Sequence, residues 1–286
     1  MTNTPIRTLL ATTFLALPLV AVAEGASPWL PIPGQLSLTL NQTEQSGSDA
    51  YIGTTKLPVS TITGGAASKF KRSTTNVRLG YGLADAVSLD ATIGYGKVKA
   101  GAADNDNGLT DSVIGVSWRV LDEFEQPSLP TLTLRGAAIL KGNYDGARLA
   151  AIGNDQNGIE VAVLLGKQIT PSFALWAEVG VQDRSGSVPN ATFYEIGARY
   201  RFAPQWSASL GYAAKKYSGD LDIGGPGFSP ARFQDVRAER ELVKLGVGYA
   251  FASNQGLALN YAKALSGGRN TVQDDPIIGL SYTFAF

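Results

Sequence analysis

The side chains best placed to do chemistry in this 286-residue chain are cations set at alternate positions of ten-residue stretches: Arg72, Arg78, Arg119, Arg135, Lys141, Arg184, Arg199, Arg201, Lys215, Arg240 and Lys244. Asp90, Asp111, Glu160, Glu178 and Glu195 share their parity, so eleven cations less five acids leave +6 on that face, in a chain whose 24 basic and 24 acidic residues cancel. Guanidinium groups on a low-dielectric wall concentrate anions and grip carboxylates in a two-pronged geometry. If this face lines a pore, Arg72, Arg78, Arg119, Arg135, Lys141, Arg199, Arg201, Lys215 and Lys244 are its expected solute-selecting residues. The competing reading is that cations and acids neutralise one another and plug a narrow bore.

Other chemistry is sparse. The chain has neither histidine nor cysteine, so imidazole acid–base work, thiol nucleophiles and disulfides are excluded. Glu160 with Glu178, or Asp90 with Asp111, could divide acid and base roles, but pairing and lumen hydration account for the same residues. Asp104, Asp106 and Gly108 begin like a calcium loop, yet the glycine comes one residue early and the twelfth position is Gly115. No enzyme activity, cofactor or metal is expected, and a neutral chain gives no reason to expect nucleic acid.

The elements that position these cations follow from period-two alternation. In the last stretch Ile278, Leu280, Tyr282, Phe284 and Phe286 face one way, and Gly279, Ser281, Thr283 and Ala285 the other. Twelve such stretches are predicted, at 34–45, 70–83, 86–99, 108–121, 130–142, 157–169, 173–184, 191–203, 206–218, 239–252, 256–266 and 275–286. The expected fold is an all-β, twelve-stranded antiparallel transmembrane barrel of the bacterial outer membrane, an even count being the rule for single-chain bacterial barrels. Short connections alternate with long ones rich in Gly, Asp, Asn and Ser, which places both termini in the periplasm. Trp118, Tyr200, Phe202, Trp206, Phe251 and Phe286 fall at periplasmic strand ends, where aromatic rings prefer the headgroup level.

Arg7, the apolar run Leu9 to Val20 and the small residues Ala21, Val22 and Ala23 read as a secretory leader, 1–23, leaving 24–286 as the barrel. Three aromatics break the alternation by facing inward: Phe70, Trp176 and Phe193. Either they stack on an aromatic solute or a β-bulge returns Trp176 to lipid. The connections 46–69 and 219–238 either fold inward as a constriction or stand outside as loops.

The stretch Asn76 to Tyr95, NVRLGYGLADAVSLDATIGY, and the terminal GLSYTFAF resemble outer-membrane transporters of the MetA-pathway of phenol degradation family. The resemblance implies a β-barrel that takes up small, often aromatic, carbon compounds, and supplies no catalytic residue. The function expected is passive passage of small solutes, anionic or aromatic carboxylates among them, selected at the basic residues and Trp176. The alternative is a structural or adhesive barrel with a plugged lumen and partner-binding loops. A third, an autotransporter translocator, lacks a passenger, since only Glu24 to Pro33 precede the first strand. Expected partners are outer-membrane lipid and lipopolysaccharide, the solute, and the barrel assembly machinery, engaged through the strand ending in Phe286.

Overall fold

The computed structural model describes residues 26–101, 104–146, 148, 151–265, 268–270 and 275–286. The leader expected over 1–23 lies outside them. The strands are β1 (Leu36–Gly47), β2 (Asp49–Ile52), β3 (Thr55–Pro58), β4 (Phe70–Ala84), β5 (Val87–Ala100), β6 (Asp104–Leu109), β7 (Ser112–Leu121), β8 (Thr131–Leu140), β9 (Gly158–Thr170), β10 (Phe173–Arg184), β11 (Ala191–Arg201), β12 (Trp206–Tyr217), β13 (Arg240–Ala252), β14 (Gln255–Ala264) and β15 (Ile277–Ala285). β2 and β3 form a separate hairpin, followed by a one-turn helix, α1 (Val59–Ile62).

The other thirteen strands make one antiparallel sheet that closes on itself: β1 pairs with β15 on one side and β4 on the other, and β4 pairs with β5. β6 and β7 lie end to end along β5 as two lengths of one stave. The barrel therefore has twelve staves, as expected. Closure leaves no edge with unpaired backbone groups, the condition for strands to cross a bilayer.

Alternation decides which side chains meet lipid. In β9, Ile159, Val161, Val163 and Leu165 are exposed while Glu160, Ala162, Leu164 and Gly166 are buried. In β15, Ile278 and Leu280 are exposed and Ser281 and Thr283 buried. The expected girdle residues Trp118, Tyr200, Phe202, Trp206, Phe251 and Phe286 are all exposed at the end of the barrel that carries the short turns. Phe286 continues the ladder through its backbone N–H, which donates to Leu36 at 2.8 Å.

Three departures from the sequence pattern have local causes. The first strand starts at Leu36 rather than 34, because Gly34 adopts φ +80° and bonds to Gly82, turning the chain before pairing starts. The stretch read as one strand over 108–121 is interrupted at Thr110 and Asp111. There the Asp111 carboxylate accepts from the Gly142 backbone, Tyr144 and Arg184 instead of following the stave. Lys141, expected on the lumen wall, lies past the end of β8; its side chain is 56% exposed and 3.8 Å from Asp155 in the following connection.

Candidate functional site

A polar belt runs round the middle of the lumen. On β5, β8 and β9, Arg135 binds Asp90 in two-pronged fashion (Nε–Oδ1 3.3 Å, Nη2–Oδ2 2.9 Å) and donates its other arm to Glu160. Gln182 on β10 donates to Glu160 at 2.7 Å and accepts from Lys215 on β12 at 2.6 Å. Lys244 on β13 donates to Glu195 on β11 at 2.6 Å. The belt continues without charge: Asn260 on β14 donates to Ser281 on β15 at 3.1 Å, Ser281 to Asn41 on β1 at 3.2 Å, and Thr39 meets Thr283 at 3.1 Å.

This geometry redistributes the cationic interior expected from parity. Arg78, Arg135, Lys215 and Lys244 are matched in number by Asp90, Glu160, Glu178 and Glu195, while Arg240, the register partner of Lys215, lines the same cavity as Glu178, Glu195 and Lys244; Arg78 itself lies 3.9 Å from Asp90. The other cations sit at the two ends. Towards the long connections, Arg184 pairs with Asp111, and Arg72 donates to the Ala151 carbonyl at 3.0 Å. Towards the short turns, Arg119 pairs with Asp122 at 3.0 Å, Arg201 donates to the Pro171 carbonyl at 3.0 Å, and Arg199 and Arg201 line a cavity of about 350 Å³.

All three aromatics that break the alternation do point inward. The register shift at the start of β10 falls between Phe173 and Ala174, too early to return Trp176 to lipid. Trp176 lies over Gly197, its register partner on β11, where a Cβ would come within 2.0 Å of the indole. Phe193 lies over Gly180 in the same way and is 5% exposed. Phe70 is instead at the long-connection end, so the three do not form one stacking site.

Both openings are narrowed. At the long-connection end, Ala50, Val59 and Ala67 pack on Phe70, Val98 and Ala100, with Ile152 from the connection after β8 beside them. The connection over 46–69 thus folds inward. The connection over 219–238 is tied down by Asp222, which accepts from Arg237 (3.1 Å at each oxygen), Arg269 (2.8 Å) and Asn270 (2.9 Å). Arg237, first among these, holds the Asp222 carboxyl down at a pKa of about 2. Asn270 accepts from the Gly53 backbone at 2.9 Å, so three long connections meet at this cluster.

The short-turn end carries a feature that sequence reading missed. The segment before β1 crosses the lumen as a strap: Pro31 and Ile32 pass Gly82 on β4, the Pro28 carbonyl accepts from Thr133 on β8 at 2.8 Å, and Ala26 packs on Ala162, Leu164 and Phe193. A Cβ at Gly166 would stand 2.7 Å from Pro28 and 2.8 Å from the Trp29 ring, so glycine is required for the strap to seat. Trp29 donates its indole N–H to Glu123 at 2.8 Å, and Glu123, 5% exposed in the connection before β8, also accepts the Gln168 backbone N–H at 2.9 Å. The legible signal was the run Pro28, Trp29, Leu30, Pro31, Ile32, Pro33: prolines hold it extended without ladder hydrogen bonds.

Residues 43–274, well over half of the chain, match the family model described as "Putative MetA-pathway of phenol degradation". The chain belongs to this family. Among solved structures, this family member is similar to an outer-membrane channel from Pseudomonas putida F1, with 18% identity over 93% of this chain and 100% of that one and a TM-score of 0.72. It is also similar to the NanC porin (11% identity, 86% and 98% covered, TM-score 0.54). A third match is the translocator domain of autotransporter NalP from Neisseria meningitidis (12%, 90% and 89%, 0.52). At these identities the likeness is one of fold: an outer-membrane β-barrel. No curated protein matches the sequence.

Proposed function

We propose that this barrel is a passive outer-membrane channel for small solutes, with both termini periplasmic, in which the strap and the infolded connections set the width. The observation that carries the reading is the belt: polar side chains from the staves line the interior, inside an exterior of exposed Leu, Ile and Val. The interleaving of acids and cations at the belt makes that zone a weak filter by sign. Selection falls to the ends, where Arg119, Arg199 and Arg201 face the short-turn opening and Arg72 and Arg184 the other. Small carboxylates fit this arrangement, because arginine grips them in a two-pronged geometry at either mouth. Aromatic ones gain the Trp176 face. Exposed aromatics at the short-turn end, with Phe286 closing the last strand, suit lipid contact and recognition by the barrel assembly machinery.

Reversal potentials in planar bilayers under a salt gradient test this reading. A modest anion preference is expected, reduced in the double variant Arg199→Gln/Arg201→Gln. Cation preference would remove the arginine mouths from the mechanism. Absence of conductance, in the wild type and in a variant with the strap released, would favour the plugged adhesive barrel.

A further inference from the structure

The outward face of the barrel carries a cluster of lysines at its long-connection end. Along β5 the exposed side chains run Leu89, Ile93, Tyr95, Lys97 and Lys99, and along β4 Leu79, Val77, Thr75 and Lys71. A bilayer interior selects the apolar part of each series, and Tyr95 falls where that part ends. At about 3.3 Å per residue, Lys97 and Lys99 stand roughly 7 and 13 Å beyond the tyrosine along the strand, at the level of lipid headgroups.

Register brings these lysines together. Lys71 is directly opposite Lys99, and Lys97 is opposite Ser73, on the diagonal from Lys71. Opposite side chains stand about 5 Å apart at Cβ and diagonal ones about 7–8 Å, so three long ammonium side chains can close on one phosphate. Like charges set opposite each other oppose pairing, and among the described residues none of the three has an acid within salt-bridge distance; Lys97 lies 5.8 Å from the Tyr95 ring centroid instead. On the far side of β5, β6 presents Asn107 opposite Lys97 and Asn105 opposite Lys99, while Asp106 between them turns inward. The outward acid of β1, Glu44, is opposite Ser73 and accepts from Gln42 at 2.7 Å. Across the rim, by contrast, outward charges interleave in sign: Lys216 on β12, Glu241 on β13 and Lys263 on β14.

We propose that Lys71, Lys97 and Lys99 form a docking site for a phosphate group of lipopolysaccharide on the lipid-facing side of the barrel. The acyl chains of the docked lipid lie on Val77, Leu79 and Ile93, and its phosphate supplies the negative charge that the strands around the lysines lack. The lysine stems cover the apolar surface beside Tyr95 while their ammonium groups reach the headgroup. This rests on the orientation proposed above, with the long connections outside, and is independent of conduction.

The test is native mass spectrometry of the full protein in detergent, titrated with bisphosphorylated lipid A, with the same lipid stripped of its phosphates, and with phosphatidylglycerol. At least about tenfold tighter binding of the first than of the other two is expected in the wild type, since each lysine near a charged lipid surface adds to the attraction. The preference is expected to be lost in Lys71→Gln/Lys97→Gln/Lys99→Gln and kept in Lys216→Gln/Lys263→Gln. Should the triple variant fail to assemble, the wild type decides: amine labelling of Lys71, Lys97 and Lys99 is expected to slow several-fold with the phosphorylated lipid bound, and that of Lys216 to stay unchanged. Equal binding of the three lipids, a preference unchanged in the triple variant or lost alike in the control, displacement by millimolar inorganic phosphate, or unprotected lysines overturns the proposal. The orientation is checked apart from this with Ser60→Cys, an exposed position before β4 in a chain without cysteine. An impermeant maleimide is expected to label it in intact cells. Labelling only in broken cells would overturn the orientation and with it the assigned leaflet, whereas loss of the phosphate preference with the thiol labelled from outside overturns the docking site alone.

Discussion

Along β4, β5 and β8 to β13 the lumen wall carries charges, Asp90 and Glu160 sharing Arg135 and Glu195 taking Lys244, whereas along β14, β15 and β1 the same height is occupied by amides and hydroxyls. The charged arc is stiff and conditional: Arg135 serves two carboxylates at once, so every member depends on the next. The neutral arc is made of pairs such as Thr39 with Thr283 in which each group could turn to water without stranding a charge. The strap, docked against β8 to β11, leans on the charged side. One side of the bore thus anchors the constriction and the other leaves a wall that a solute can wet.

Substitutions can break this contrast. The largest effect is expected from Arg135→Met, which strands Asp90 and Glu160 together; losing one member of a buried ionic network costs about 3–5 kcal/mol, measured as a lower urea midpoint for unfolding from detergent or lipid. On the opposite side, Asn260→Ala removes one neutral hydrogen bond to Ser281 and is expected to cost about 1 kcal/mol in the same assay. Equal costs on both sides would erase the distinction between the arcs.

The two arcs differ as much in legibility as in energy. Period-two alternation carried the fold, since lipid demands an apolar outward face at every stave, and it placed Arg135, Glu160, Lys215 and Lys244 on the inside. It could not reveal that Asp90 and Glu160 converge on Arg135, because those residues are brought together only by register between strands far apart in sequence. Net charge summed by parity therefore said nothing of where along the bore the cations sit. Lys141 was misplaced because a charged residue just past Leu140 prolongs the apparent alternation after ladder pairing has stopped. Trp176 and Phe193 were correctly read as breaks in the pattern, but the register partners that accept their rings, Gly197 and Gly180, lie on the neighbouring strand. The strap had no periodicity to read, and Glu123, its anchor, looked like any loop acid.

Smaller effects sharpen the picture. Trp176→Ala is expected to slow the entry of aromatic carboxylates several-fold in liposome swelling, leaving aliphatic acids of similar size unchanged; equal slowing of both would make the indole structural packing over Gly197. The Asp222 cluster, outside both arcs, titrates independently of them. Its carboxyl is held at a pKa of about 2 against an ordinary 3.8. A depressed acid contributes stability that is fully present above its unfolded value and is lost as pH falls through the folded one. Limited proteolysis of the connection over 219–238 is expected to be unchanged from pH 8 to about 4 and to accelerate only towards pH 2. Asp222→Asn, which removes the charge, is expected to show the acid behaviour at neutral pH.

The measurement closest to the centre is single-channel recording of the wild type beside Trp29→Ala, which removes the indole donated to Glu123 at 2.8 Å and loosens the strap while touching neither arc. Low, flickering conductance in the wild type and a several-fold larger, steadier conductance in the variant, with the anion preference retained, are expected of a channel whose width the strap sets. Identical conductance in the two proteins, or none in either, would contradict it.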